Sequence, residues 1–218
     1  MIKEKYKCII FDCDGVLVDS EPIAHQVLVE LANSYGANIT YEYAHEKFAG
    51  TFLSFVIYHI EELIGKKVPE NFEQEYRRIS FERFAESIQP IQGIPEFLEK
   101  IDVPICIASN GPLNKMQLNL KTTNLLEYFQ GNLFSAYDIK KWKPNPKLFL
   151  HAAKKMNFTP SNCLIIEDSL SGVKAAVSGG FDVFALGNKK NKNELESAGA
   201  KVFFSIQEMQ DYLFNIVD

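Results

Sequence analysis

The amino-acid sequence predicts an α/β fold: a doubly wound parallel sheet interrupted by one all-helical insertion. The first observation is a set of short, wholly apolar runs that stop abruptly at polar residues. Such runs are typical of strands buried on both faces of a sheet. The second is the helical periodicity between the runs, and the third is a long stretch without strand-like runs. The apolar runs are 8–11 before Asp12, 103–108 before Ser109, and 163–166 before Glu167.

After the second apolar run, helical and strand-like patterns alternate. Residues 146–156 place apolar side chains on one stripe, with Asn145 as the expected N-cap and Pro146 at the first helical position. A shorter helical pattern at 170–178 ends at Gly179. This alternation favours parallel strands joined by helices. The later strand patterns are 181–186 and 201–204.

Residues 19–88 form the predicted insertion, because amphipathic helical patterns follow one another there without a strand-like run. We therefore expect a helical cap domain at 19–88 and an α/β catalytic core domain made of 1–18 and 89–218. An insertion of this size is large enough for a lid that excludes water from a small substrate. The helical patterns are 22–35, 51–64 and one that begins at Asn71.

Composition narrows the class of protein. The 218 residues are 46% hydrophobic, which is enough for a full core, and the formal net charge is -5 with no block of like charges. This argues against disorder and against electrostatic binding of nucleic acid. No apolar run is long enough for a signal-peptide core or a membrane span. We expect a cytoplasmic monomer that binds neither nucleic acid nor membrane, with buried thiols at Cys8, Cys13, Cys106 and Cys163.

Polar residues follow three of the predicted strands. In an open parallel sheet, ligands bind beyond the carboxyl ends of the strands, so these residues are expected to meet at one edge. Carboxylates that lie side by side raise one another's pKa unless a cation compensates them. Oxygen ligands favour Mg²⁺ over Zn²⁺. The residues expected at this edge are Asp12, Asp14, Ser109, Asn110, Glu167 and Asp168.

The first polar cluster is the tetrapeptide from Asp12 to Gly15. An EF-hand is excluded, because its glycine stands at the sixth position and its glutamate at the twelfth, whereas here Gly15 is fourth and Ile23 is twelfth. In an extended chain, Asp12 and Asp14 point the same way, so one carboxylate can attack while the other moves a proton. The tetrapeptide alone fits equally well a pair of aspartates that cap a turn.

Four stretches resemble, in order and spacing, the motifs of the haloacid dehalogenase (HAD) superfamily. The resemblance spans nearly the whole chain and is strongest for the subgroup with a helical cap, which includes β-phosphoglucomutase and many small-molecule phosphatases. It implies a Rossmann-like core. Two further stretches, 109–117 and 133–144, are similar to bacterial phosphatases that act on 6-phosphogluconate. The four motif stretches are 11–21, 108–111, 143–146 and 167–176.

The resemblance implies a magnesium-dependent phosphatase that hydrolyses a small phosphorylated metabolite. Asp12 would be the nucleophile that becomes an aspartyl phosphate, and Asp14 would be the general acid and base. Mg²⁺ would be held by the Asp12 carboxylate, the Asp14 backbone carbonyl and the Asp168 carboxylate. Glu167 would reach the metal directly or through water.

Three further residues are implied to bind the substrate phosphate. Ser109 and Asn110 would donate hydrogen bonds to the transferring phosphoryl group, and Lys143 would offset its charge. Lys143 precedes Pro144, whose restricted backbone can fix the direction of the lysine stem. For Trp142, next to Lys143, a packing role is favoured over substrate contact.

Two alternatives share these motifs. A β-phosphoglucomutase is similar in its core, but its cap histidine corresponds to Ala24 here, and His25 faces about 100 degrees away around a helix. A non-catalytic phosphate-binding regulatory protein would show a gap in the catalytic set, and the set is complete. Hydrolysis of a sugar phosphate or a sugar-acid phosphate, such as 6-phosphogluconate, is therefore the favoured function.

Overall fold

The computed structural model describes residues 5–48, 51 and 53–214, which form two compact units. The core unit contains the described residues up to Asp19 and from Gln89 onwards, and the helical unit is Ser20–Ile88. The sequence places the first boundary after residue 18, whereas the structure places Asp19 in the core unit. There the Asp19 backbone N–H donates to the Gln89 carbonyl at 2.9 Å.

Within the described residues, the core unit contains a six-stranded sheet in the order β3-β2-β1-β4-β5-β6. All its strand pairs are parallel. The central strand β1 is completely buried, as its uninterrupted apolar sequence predicts. The predicted parallel α/β sheet is therefore confirmed. The strands are β1 (Cys8–Phe11), β2 (Ile105–Ser109), β3 (Leu133–Ser135), β4 (Cys163–Glu167), β5 (Asp182–Leu186) and β6 (Lys201–Phe203).

Helices connect these strands in the core unit. They are short, and most bury one apolar stripe against the sheet. We number the helices of the whole chain in order, so that the four helices of the helical unit are α1 to α4. The core helices are α5 (Ile94–Lys100), α6 (Leu113–Thr122), α7 (Ala136–Ile139), α8 (Lys147–Lys155), α9 (Leu170–Ser178), α10 (Lys192–Ser197) and α11 (Ile206–Phe214).

The two faces of β1 are covered by different layers, because successive side chains of a strand point to opposite sides. On one face, Ile10 belongs to an apolar cluster with Phe149 of α8 and Val173 of α9. On the other face, the ring of Phe11 meets the ring of Phe97 of α5 edge to face, with 6.2 Å between centroids. This arrangement is the doubly wound architecture that the sequence predicts.

Some local features differ from the sequence-based expectation. Strand β3 has only three residues, two of them half-buried, so it leaves no apolar run that a sequence pattern could detect. Helix α8 begins one residue later than expected, with Pro146 at the N-cap. Asn145 instead accepts a hydrogen bond from the Lys147 backbone N–H at 3.0 Å.

The helical unit forms its own apolar core, in which Leu28, Ile60 and Phe72 are almost completely buried. His25 is also buried here, with the rings of Tyr41 and His45 at 6.2 and 5.6 Å between centroids. In the ranges that the structure describes, no helix has the length and apolarity needed to cross a membrane. The four helices are α1 (Glu21–Ser34), α2 (Tyr41–Phe48), α3 (Leu53–Ile64) and α4 (Phe72–Ser87).

The stability of the core unit can be tested at Asn119 in α6. Its side chain is fully buried, and neither amide atom has a hydrogen-bond partner among the described residues. Since an unsatisfied buried polar group costs about 1–3 kcal/mol, Asn119→Leu should raise the free energy of unfolding by a similar amount. Urea unfolding measures this. The matched control is Gln117→Leu, at an exposed position of the same helix, and a less stable Asn119→Leu variant would contradict the expectation.

Candidate active site

The carboxyl end of β1 positions two aspartates. The Asp12 N–H donates to the Ile166 carbonyl of β4 at 2.8 Å, which fixes the chain where the strand ends. The chain then turns at Gly15, whose φ of 79° is readily accessible only to glycine. Asp12 is almost fully buried, Cys13 packs into the core, and Asp14 is half-buried.

Gly15 also permits the close approach of Asp168, the residue after β4. A Cβ atom at position 15 would lie 2.0 Å from Asp168 Oδ2, so any larger residue would displace this carboxylate. The turn after β1 and the end of β4 are therefore in direct contact. Their meeting follows from the parallel register, in which Phe11 pairs with Ile166.

Lys143 lies at the centre of the buried charges. Its ammonium group forms an ion pair with Asp12 Oδ1 and another with Glu167 Oε1, the latter at 2.6 Å, although the lysine side chain is only 2% exposed. The Phe149 ring adds a cation–π contact, with its centroid 4.7 Å from Nζ. Burial lowers the pKa of Lys143, but the charges of the two carboxylates raise it overall, so the lysine stays protonated.

Glu167 is held as the ionised partner of Lys143. Its Oε2 atom accepts hydrogen bonds of 2.9 Å from the Asp168 N–H, the Ser169 N–H and the Ser169 hydroxyl. It also lies at the N-terminus of α9, where a negative charge is favoured. Burial raises the pKa of Glu167, but Lys143 and these hydrogen bonds lower it overall. Glu167 therefore orients the lysine and keeps it charged.

Asp12 is in a different electrostatic position from Glu167. Burial and the charge of Glu167 raise the pKa of Asp12 to about 7, although Lys143 opposes this shift. Because one lysine serves two buried carboxylates, a further positive charge would be needed to keep Asp12 fully ionised at neutral pH.

Three carboxylates at this edge of the sheet could bind a cation that supplies this positive charge. Asp12, Glu167 and Asp168 can each offer one oxygen, and these atoms lie within 4.8 Å of one another. A set of oxygen donors suits a hard divalent cation such as Mg²⁺. The Asp14 carboxylate is not in this group, and its Oδ1 lies 2.8 Å from Lys115 Nζ. Its predicted contribution, through the backbone carbonyl, stays a prediction.

Ser109, the last residue of β2, and Asn110, the next residue, have local hydrogen bonds that orient them. Ser109 Oγ accepts from the Gly111 N–H at 3.0 Å, and Asn110 Oδ1 accepts from the Lys143 N–H at 2.9 Å. With these acceptor atoms engaged, the hydroxyl proton of Ser109 and the Nδ2 amide of Asn110 are the groups suited to donate to an anion. The Asn110 contact also ties β2 to the segment that carries Lys143.

Sequence reasoning did not single out Lys115, although it pairs with a predicted catalytic residue. A detectable signal is its position in the first turn of α6, where a positive charge opposes the helix dipole and needs a compensating partner. Trp142, for which packing is the favoured role, is 37% exposed and meets the Tyr137 ring edge to face at 5.5 Å.

Comparison with known proteins shows the family to which this chain belongs. A model described as haloacid dehalogenase-like hydrolase matches residues 6–180, a range that includes all four motif stretches. The chain belongs to this family. The matched range covers both ends of the site, from Asp12 to Asp168.

Relatives of this HAD-family chain include phosphatases. It is 36% identical over 181 residues to the 6-phosphogluconate phosphatase of Escherichia coli, covering 83% of this chain and 82% of that protein. It is 28% identical to the phosphorylated carbohydrates phosphatase of Thermotoga maritima, covering 97% of this chain and 100% of that protein. These matches confirm the predicted family and the prediction of a phosphoric monoester hydrolase.

A solved structure supports the subgroup. It is a provisionally assigned β-phosphoglucomutase from Thermotoga maritima, which is 27% identical and has a TM-score of 0.80, covering 97% of this chain and 100% of that chain. The resemblance to the β-phosphoglucomutase-like subgroup of the HAD superfamily is therefore confirmed.

Glu167, the partner of Lys143, packs closely against Gly172 of α9, and this contact can be tested. Alanine normally stabilises a helix relative to glycine by about 1 kcal/mol. Here a Cβ atom would lie 1.8 Å from Glu167 Oε1, so Gly172→Ala should displace the carboxylate and lower the free energy of unfolding by about 1–3 kcal/mol. Urea unfolding of Gly172→Ala, with the exposed Lys174→Ala of the same helix as control, measures this. A Gly172→Ala variant as stable as the natural chain would contradict the geometry.

Proposed function

We propose that the chain is a magnesium-dependent phosphatase that hydrolyses a sugar phosphate or a sugar-acid phosphate through an aspartyl-phosphate intermediate. The observation that carries the proposal is the position of Asp12. Its carboxylate lies at the end of the central strand, beside a buried lysine and within reach of the carboxylates of Glu167 and Asp168. This arrangement puts a nucleophile, a fixed cation and oxygen donors for a metal in one place.

Each half of the proposed reaction breaks one bond to phosphorus. In the first half, an Asp12 carboxylate oxygen attacks phosphorus, the bond to the leaving oxygen breaks, and Asp14 gives a proton to that oxygen. In the second half, Asp14 takes a proton from water, which attacks phosphorus and releases Asp12 and inorganic phosphate. The same aspartate thus acts as acid and then as base.

Charge neutralisation at the phosphoryl group is proposed to come from three sources. Lys143 offsets the negative charge from its buried position, and Ser109 and Asn110 donate hydrogen bonds from the end of β2. Mg²⁺, held by the Asp12 and Asp168 carboxylates and the Asp14 backbone carbonyl, would neutralise phosphoryl oxygens when bound. Because the chain carries a net charge of -5, attraction of a phosphate ester depends on such local cations.

The substrate class is supported by the relatives, which act on 6-phosphogluconate and on phosphorylated carbohydrates. We propose a small ester of this kind, hydrolysed by a cytoplasmic monomer that uses no nucleic acid or membrane. A panel of esters assayed for phosphate release with magnesium tests this, and includes 6-phosphogluconate, β-glucose 1-phosphate and nucleotides. Phosphate release from nucleotides alone would contradict the proposed class.

One observation supports the mutase alternative: the likeness of this chain to a provisionally assigned β-phosphoglucomutase. Position 24, which corresponds to the mutase histidine, is alanine, and His25 packs inside the helical unit against His45. The same panel separates the two functions. Isomerised sugar phosphate without release of inorganic phosphate would favour the mutase.

The nucleophile is tested by Asp12→Asn. We expect turnover to fall by about 10³-fold or more, because an amide cannot form the acyl phosphate. The fold should remain, since the neutral amide avoids the desolvation cost of a buried carboxylate and Glu167 still compensates Lys143. Steady-state kinetics and circular dichroism measure these outcomes. Asp211→Asn, at an exposed position of α11, is the control, and retained magnesium-dependent turnover in Asp12→Asn would exclude the assignment.

The general acid is tested by Asp14→Asn. We expect kcat/KM for a sugar phosphate to fall by about 10²–10⁴-fold, because its alkoxide leaving group needs the proton. The loss for p-nitrophenyl phosphate should be smaller, since its phenolate leaves without protonation. Normal kcat/KM with the sugar phosphate would rule out this role for Asp14.

A further inference from the structure

Lys115 forms an ion pair with the side chain of Asp14. Its Nζ atom lies 2.8 Å from Asp14 Oδ1, and the lysine and aspartate side chains are 20% and 27% exposed. The two residues are 101 positions apart in the sequence, so the contact is made by the fold. The site therefore contains two lysine–aspartate ion pairs, Lys143 with Asp12 and Lys115 with Asp14.

The backbone around Gly111 brings Lys115 to this position. Side chains of a helix lean toward its N-terminus, so a lysine in the first turn of α6 points back toward the loop after β2. That loop is fixed because the Ser135 hydroxyl donates to the Gly111 carbonyl at 2.7 Å. A Cβ atom at Gly111 would lie 3.9 Å from Lys115 Cδ, which places the lysine stem beside this glycine.

The two oxygens of Asp14 have different surroundings. Oδ1 accepts from Lys115, whereas Oδ2 lies 3.6 Å from where a Gly111 Cβ would be. Ser109 Oγ, a proposed phosphoryl ligand, lies 3.4 Å from that same point. Asp14 Oδ2 and Ser109 Oγ thus both lie next to Gly111, while Lys115 contacts the other Asp14 oxygen.

We propose that Lys115 is a positioning residue that holds Asp14 Oδ1 and so fixes the direction of the carboxyl group that gives a proton to the leaving-group oxygen and later takes one from water. This inference rests on the proposed phosphatase function. A partly exposed ion pair contributes little to stability, so the consequence of losing it should appear in catalysis. Without the lysine, the Asp14 carboxylate would lose this contact, and proton transfer would lose part of its fixed geometry.

The test compares two leaving groups in Lys115→Met. For a sugar phosphate, we expect kcat/KM to fall about 10-fold or more, because the alkoxide needs the Asp14 proton. For p-nitrophenyl phosphate, the fall should be about threefold or less, because kcat/KM reports the first half-reaction and the phenolate needs no proton. A merely structural defect would lower both values equally, and that result would overturn the proposal.

A double variant tests whether Lys115 acts through Asp14. In the Asp14→Asn background, Lys115→Met should change kcat/KM by about twofold or less, since the positioned group is gone. A loss as large as in the natural background would overturn the proposal. Lys115→Arg should recover part of the sugar-phosphate activity, and no recovery beyond Lys115→Met would contradict a role for the positive charge.

Lys121→Met is the matched control, because it removes one lysine from the exposed last turn of the same helix. It should leave both kcat/KM values unchanged, and a loss equal to that of Lys115→Met would overturn the proposal. If Lys115→Met fails to fold, as judged by circular dichroism, Lys115→Gln is read by the same criteria. Absence of turnover by the natural chain on every ester would overturn the proposed function as well, whereas normal turnover without the Lys115 pattern overturns this inference alone.

Discussion

The ion pairs of Lys143 with Asp12 and Glu167 are the interaction on which the site depends. A buried charge without a partner costs several kcal/mol, so these three side chains stabilise one another's positions. They come from the loop before α8 and from the ends of β1 and β4. A parallel sheet provides this meeting point because the carboxyl ends of its strands lie at one edge. The chemistry is therefore tied to the topology of the sheet.

Lys143 pairs with two carboxylates whose surroundings differ. Glu167 accepts three hydrogen bonds from the segment that begins α9 and is held in the ionised state. Asp12 lacks such a set among the described residues, and its pKa is raised to about 7. The more satisfied carboxylate orients the lysine, while the less satisfied one is suited to gain a cation and then react. The pKa values of two similar side chains are thus shifted in opposite directions by their environments.

Much of the fold follows from the sequence because strands buried on both faces leave continuous apolar runs, as in 8–11 and 163–166. Strand β3 escaped prediction because its three residues are too few and too exposed to form such a run. The candidate site residues could be named because they stand at strand ends and within family motifs. Lys115 shows one sequence signal, a positive charge in the first turn of α6, but its partner Asp14 is 101 positions away and is identified only by the fold.

The central claim, that Asp12 becomes phosphorylated, can be tested directly by trapping. Borohydride reduces an acyl phosphate to the alcohol, so an aspartyl phosphate is converted to homoserine and located by peptide mass spectrometry. During turnover with magnesium and a sugar phosphate, we predict homoserine at position 12, and none when either is omitted. Turnover that leaves Asp12 unmodified while homoserine forms at another aspartate, such as Asp14 or Asp168, would contradict the account.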